Sequence, residues 1–392
     1  MAEKAKNKIS VGNHSFVFIG DVVLGNRSLE EPKLTRKGNH YNVDANFGVK
    51  ITEDGNVVYP RLTGFSQVSE TTIKVMPKER QEGKFKLLEI PFEDRFKDEV
   101  LDRVAYNSII TIDLGEGTKR FILEKEALDY LKEKLTPTMR VRVYGDIDYS
   151  VNSLFREDRR VYRNYNIRSV YLARDEDENM ARLTQDYYYT EDSLSPDWKK
   201  EIKENKKTTA TVHVPVYLNT VKHEESGEYV DYKKVVLLPQ VVTIEANGKG
   251  KLLMSKIFNY TSKEKGKVKR FLGYPMVNEG YEQNVGEVKI SPDIQALIDE
   301  GYTTLEEMQK SATTRGNRVR ELLLDFKPII SESESGEQTM EISIVTDLTE
   351  MDFVPEPIEL AFEEQDDNVF SDFESTDDDE TINDEELDSL FD

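Results

Sequence analysis

The chain has no cysteine among its 392 residues. That excludes disulfides, thiolate nucleophiles, iron–sulfur clusters and thiolate zinc sites, and it fits a reducing compartment. Histidine is scarce: only His14, His40, His213 and His223, with no HxxxH or HExxH spacing to hold a metal. Trp198 is the only tryptophan. No stretch approaches about 18 uninterrupted apolar residues, so no membrane-spanning helix is expected. The opening MAEKAKNKIS is charged and has no apolar core, so no signal peptide is expected either. A cytoplasmic protein is expected, in the host cytoplasm if the protein is viral. No Walker motif, nucleophile elbow or dinucleotide fingerprint occurs, and Gly115-Glu116-Gly117 reads as a turn. No enzyme and no cofactor is expected from these absences.

Basic residues are missing from one end. Lys+Arg total 53 and Asp+Glu 76, for a net charge of -23, yet the last base is Lys327 and 24 acids follow it. The first 327 residues therefore carry 53 positive and 52 negative charges, a net of +1. An acidic total would argue against nucleic acid. A near-neutral body can still hold local basic patches. From about Glu363 the chain is low-complexity and acidic, and it should not pack a core.

The body reads mainly as strands with some helix. Ser15–Leu24, Tyr41–Ile51, Phe85–Phe92, Met139–Val151 and Val161–Leu172 are five strand candidates rich in β-branched and aromatic residues. Leu123–Leu135 is a helix, with Ala127, Leu128, Leu131 and Leu135 on one face and Pro137 as its stop. In Met139–Val151, Val141, Val143, Gly145 and Ile147 point one way. Arg140, Arg142, Tyr144 and Asp146 point the other. Five strands with a helix between the third and fourth is the order of an OB-fold barrel.

A second β-rich α+β domain, open to an OB-like reading, is expected from Thr209–Val221, Val235–Ala246, Lys251–Tyr260 and Thr339–Val345 as strands. Ser291-Pro292-Asp293 is a helix start. The domain limits read as a flexible 1–13, an OB domain 14–174, a charged connector 175–207, a second domain 208–350 and a disordered acidic tail 351–392. The triplet Tyr187-Tyr188-Tyr189 falls in the connector and receives no role.

Single strands are held by a basic groove and by aromatic faces on which bases stack. Residues 139–171 hold seven arginines, no lysine and four acids; arginine suits forked phosphate contacts and stacking. Arg140, Arg142 and Tyr144 share one strand face, and Phe155, Arg156, Arg159 and Arg160 sit in the following hairpin loop. Lys33, Arg36 and Lys37 lie in an earlier loop. Lys267, Lys269 and Arg270 end the basic loop SKEKGKVKR. All are candidate DNA contacts. The simpler alternative for each is a solvated strand face or hairpin tip. Phe16, Phe18, Tyr41, Phe47 and Phe92 read either as core or as stacking platforms. Asp146 and Asp148 put two carboxylates on one strand face, which reads as a hairpin end before it reads as a metal site.

Three segments carry a family resemblance. HSFVFIGDVVLGNRSLEEPKLTRKG resembles the opening of bacterial-type single-stranded DNA-binding proteins: an apolar strand into Ile-Gly, then a Pro-containing basic loop closing on Gly. EALDYLKEKLTPTMRVRVYGDIDYS resembles their helix, turn and fourth strand, and VYRNYNIRSVYLA their fifth. The likeness spans about residues 14–172, with a long insertion at about 52–84 and without the tryptophans that such proteins use for stacking. The tip DEELDSLFD resembles the acidic ending of that family, although Asp392 follows Phe391 and no Pro precedes it.

The resemblance implies a non-enzymatic protein that coats single-stranded DNA in replication, recombination or repair. Leu387, Leu390 and Phe391 would then recruit a polymerase, helicase, primase or nuclease. The two-domain length implies a bacteriophage version, and self-association stays open. The competing reading is a structural or assembly protein of a virus particle, with the barrel as scaffold and the tail as a solubility device.

Overall fold

A computed structural model describes residues 9–355, apart from 36–37, 39, 53–54, 68–70, 80–85, 156–159, 223–226, 280, most of 285–313, 319, 327–328, 333–337 and 342–343. Strands dominate it. The first half is built on β1 (His14–Val23), β2 (His40–Asn46), β3 (Gly48–Lys50), β4 (Arg61–Gln67), β5 (Ile110–Asp113), helix α1 (Glu124–Lys134), β6 (Arg140–Val151) and β7 (Val161–Leu172). Phe47, fully buried, joins β2 and β3 into one bent strand.

The strands close on themselves. β1 runs antiparallel to β6 along one edge and to β3 along the end of the other. β2 pairs antiparallel with β4, β4 runs parallel to β7 at Arg61 and Asn166, and β7 returns antiparallel to β6. Counting β2 and β3 as one strand, this is a closed five-stranded barrel, with α1 between its third and fourth strands.

The core follows from the alternation. Phe18, Val43, Val49, Val141 and Val143 are each 0% exposed. Phe16, Phe18 and Tyr165 form a ring cluster with centroids 4.4–5.5 Å apart. Phe16, Phe18 and Phe47 are therefore core, while Tyr41 and Phe92 are half-buried. Gly145 is needed where β6 crosses β7: a Cβ there would lie 1.8 Å from the Asn166 carbonyl oxygen. On α1, Ala127, Leu128 and Leu131 face inward, Glu124 and Glu126 occupy the first turn, and Lys132 and Lys134 the last. That charge order complements the helix dipole.

One expected strand is displaced. The third barrel strand is Arg61–Gln67, inside what the sequence reads as an excursion. Leu88–Pro91, the core of the expected third strand, instead pairs with Thr72–Val75 in a separate hairpin. The large insertion therefore follows the third strand, as residues 68–123. It has its own apolar cluster, which includes Ile73, Ile90, Leu101, Val104 and Ile122. β5 ties this insertion to the barrel by running parallel to β7.

The second half uses β8 (Met180–Tyr189), β9 (Thr208–Lys222), β10 (Tyr229–Ile244), helix α2 (Gly248–Lys256), β11 (Lys269–Gly273), β12 (Met276–Asn278) and β13 (Glu321–Leu323). β8 lies within the expected connector, and its tyrosine triplet is buried: Tyr187 and Tyr189 are 0% exposed. One edge of β8 carries β1 and then meets β9; the other carries β12 and β11. β9 and β10 form a long hairpin, β10 meets β13 in parallel at Thr243 and Leu323, and β13 pairs antiparallel with β12. The pairings thus form a second ring of five strands with α2 between its third and fourth members. Lys251–Tyr260 is mostly helix rather than the expected strand. Asn247 caps that helix through Gly250 N–H at 2.9 Å, and Leu253, Met254 and Ile257 are buried at helical spacing.

All described residues belong to one compact unit. None of its helices is long and apolar enough to cross a membrane. The expected helix start at Ser291–Asp293 and the acidic end, with Leu387, Leu390 and Phe391, lie outside the described residues.

Candidate nucleic-acid interface

The outer surface of β2, β4 and β7 is built by the same alternation that fills the barrel. Val43 and Ala45 turn inward, so Asn42, Asp44 and Asn46 turn outward. Opposite them stand Phe65, Thr63 and Arg61, in that order. The Arg61 guanidinium donates to Asp44 Oδ1 and Oδ2 at 2.7 and 2.8 Å, and to Asn164 Oδ1 on β7 at 3.0 Å. Thr63 Oγ1 donates to Asn166 Oδ1 at 3.4 Å. These bonds hold a flat cation and a row of amides in place across three strands. Phe65 projects from this lattice with 70% of its surface exposed.

The loop before β2 closes one side. Leu29 is buried, takes φ +53°, and donates its N–H to the Asn46 carbonyl at 2.9 Å. This anchor brings Arg27 and Lys33 beside Asn42, Asn46 and Arg61 around a cleft of about 260 Å³. Glu30 and Glu31 share the rim, and Glu31 is paired with Lys132 at 2.6 Å. A larger cleft of about 510 Å³ lies between the insertion and the barrel, lined by Phe65, His40, Lys74 and Arg168 among others.

The sequence-derived candidates separate into three groups. Lys33 is exposed in a two-residue strand, Lys33–Leu34, that pairs with β2, Arg160 is exposed in the loop that leads into β7, and Lys267 is exposed ahead of β11. Others are held in internal contacts. Arg140 donates to Asn179 Oδ1 at 2.8 Å and to the Arg174 carbonyl at 3.0 Å. Arg142 pairs with Asp177 and donates to Tyr144 Oη at 3.3 Å. Tyr144 packs edge-on against Tyr171. The Arg140–Tyr144 face therefore clamps the turn ahead of β8. Lys269 is 3% exposed, donates to the Asn259 carbonyl at 3.0 Å and pairs with Glu264 at 3.2 Å. Arg270 donates to buried Asp186 at 3.0 Å. Phe155 meets Tyr232 edge-on at 6.3 Å. Arg36, Lys37, Arg156 and Arg159 fall outside the described residues.

Sequence reasoning missed Arg61, Phe65, Asn164 and Asn166. The available signal was weak: RLTGFSQ alternates, but it puts Gly64 and Ser66 on the inward register and its aromatic outward. A Cβ at Gly64 would lie 2.2 Å from Glu124 Cδ, so any larger residue there makes the Glu124 side chain move.

The groups on this surface are able to stack, to hydrogen-bond and to attract an anion. Burial pushes the phenols of Tyr149, Tyr165 and Tyr187 up, so they remain protonated partners inside the structure. Among the described residues no group of three or more His, Asp or Glu could hold a metal ion. Asp146 is paired with Arg168 at 2.7 Å, and Asp148 accepts from Asn166. Comparison with protein-family models and with curated proteins finds no match to this sequence.

Proposed function

We propose that this protein is a non-enzymatic single-stranded DNA-binding protein whose first barrel is an OB fold. One observation carries the reading: the closed strand circuit presents an exposed Phe65 beside Arg61, Asn42, Asn46, Asn164 and Asn166 on one outer surface. A flat, solvent-facing ring among fixed hydrogen-bonding groups suits base stacking without sequence reading. Strand order and helix position support the OB assignment, as does the likeness of residues 14–172 to bacterial-type single-stranded DNA-binding proteins. The acidic end, with Leu387, Leu390 and Phe391, would recruit replication or recombination enzymes.

Titration of the full chain with fluorescent oligo-dT and with duplex DNA, at two salt concentrations, tests this. Single strands should be preferred, with a log–log salt slope of about -0.7 per phosphate neutralised. Equal or tighter duplex binding, or a slope near zero, removes the reading and leaves a scaffold role.

A further inference from the structure

The outer side of the β9–β10 hairpin is covered at Pro215 and Leu237, where Leu237 packs with Tyr188, Val268 and Leu348, and is open farther along, from Tyr217 to Tyr229. Along β9, Ala210, Val212, Val214, Val216 and Leu218 are all less than 9% exposed and face inward. Thr211, His213 and Tyr217 therefore lie on the outer side. Across the hairpin, Thr211 stands opposite Val241, His213 opposite Pro239, Tyr217 opposite Val235, and Lys222 opposite Tyr229.

This surface carries exposed aromatics. Tyr217 is 50% exposed and Tyr229 is 74% exposed. Lys222 is exposed, and so is Lys233, which pairs with Asp231. Lys233 takes φ +50° where the β9–β10 register slips between Leu218 and Thr220. At His213 the same side is occupied by the chain itself. Phe353, from the segment after the last strand, stacks on His213 with centroids 4.0 Å apart and planes 19° apart.

The two surfaces belong to one body. The inner side of the hairpin's far half packs on the first barrel through Tyr232 and Phe155. Asn56 of the first barrel donates to the Val277 carbonyl at 3.1 Å and accepts from the Glu279 N–H at 3.1 Å.

We infer that the outer surface of the β9–β10 hairpin is a second single-strand site, with Tyr217 and Tyr229 as stacking platforms and Lys222 and Lys233 as phosphate contacts. This rests on the reading of the first barrel as a single-strand binder. One strand of sufficient length then engages both surfaces of the same chain. Each site covers roughly 4–16 nucleotides, the range of one OB fold.

The test uses the full chain and two fluorescent probes, an eight-nucleotide and a thirty-nucleotide oligo-dT. Wild type should bind two short probes per chain. Tyr217→Ala with Tyr229→Ala should bind one, and should weaken the long probe by roughly tenfold or more. Both tyrosines are solvent-facing, so circular dichroism should be unchanged. Lys222→Glu with Lys233→Glu, a second variant that keeps the rings, should lower the salt slope for the long probe. The first surface is read separately with Arg61→Ala plus Phe65→Ala, which should also leave one short probe per chain. Two outcomes overturn the inference: a wild type that saturates with one short probe, or tyrosine and lysine variants that bind the long probe like wild type. If the Arg61/Phe65 variant still loses binding in that case, the first-barrel reading stands alone. If wild type binds neither probe, that reading fails first and the second site falls with it.

Discussion

Phe65 and Arg140 show how differently two residues on the outer side of barrel strands are used. An exposed phenylalanine contributes little to folding, so Phe65→Ala should leave the melting temperature nearly unchanged. It should weaken oligo-dT binding by about 1–3 kcal/mol, the usual worth of one stacked base; anisotropy titration beside a melting curve separates the two effects. Arg140 and Arg142 are expected to behave in the opposite way. They hold Asn179, Asp177 and the Arg174 carbonyl in front of β8. Arg140→Ala with Arg142→Ala should lower thermal stability and leave oligo-dT affinity within about twofold. A double variant that melts normally and binds poorly would return these arginines to the DNA surface. Glu264 offers a pH test. The Thr261 N–H, then the Thr261 hydroxyl, then Lys269 hold its carboxyl down to about 2, against an ordinary 4.5. The unfolded chain therefore binds more protons than the folded one between these values. The stabilisation is complete above pH 4.5 and is lost as pH falls toward 2. Glu264→Gln should flatten the decline of melting temperature with acid in that window; an unchanged decline would show that other carboxylates set it.

At the level of the element, alternation with an apolar inner register was readable and its inversion was not. β6 was found to within one residue because Val141, Val143 and Ile147 mark one side without ambiguity. β1, β7 and α1 were legible for the same reason, as was the first barrel's strand–helix order. β4 was not, because its inward positions include Gly64 and Ser66 while Phe65 faces water. Local pattern and global fold tend to disagree where a surface is kept for a ligand, and on the proposed reading that is why Arg61 and Phe65 were hard to see. β8 was hidden by polar Gln185 and Asp186, both buried. Gln185 donates to Tyr149 Oη and accepts from Tyr187 Oη at 2.7 Å, and Asp186 accepts from Asn13 N–H at 2.7 Å. α2 was mistaken because a run such as Leu252-Leu253-Met254 fits a strand or a helix equally well. The barrel closure depends on glycines where strands meet: Gly20 against the Lys50 carbonyl, where a Cβ would have 2.1 Å, and Gly145 against β7. Gly145→Val would force atoms into the Asn166 carbonyl and the Phe16 ring, where even a Cβ has 1.8 and 2.7 Å. It should cost about 3 kcal/mol, the upper range for overpacking. Denaturant unfolding measures this directly, and a variant as stable as wild type would mean that β6 and β7 can separate at no cost.

For the molecule as a whole, charge is divided between a body and an end. The first 327 residues carry a net of +1, while 24 acids and no base follow Lys327. The candidate surface is only modestly basic, since Arg61, Arg168 and Lys33 each have an acidic neighbour. A polyanionic segment on the same chain acts at high effective concentration and needs little affinity to compete with DNA for such a surface. The competition is electrostatic, so it should fade as added salt shortens the Debye length from about 30 Å at 0.01 M to about 8 Å at 0.15 M. Removing residues 363–392 deletes 15 acids and leaves every described residue intact. The truncated chain should bind oligo-dT several-fold more tightly at low salt, and the gap should close near physiological salt. Its salt slope should steepen accordingly, because the full chain loses its internal competitor as salt rises and the truncated chain has none to lose. Equal affinities at low salt would show that the acidic end does not reach the binding surface. A gap that persists unchanged at high salt would show that the end acts by something other than its charge.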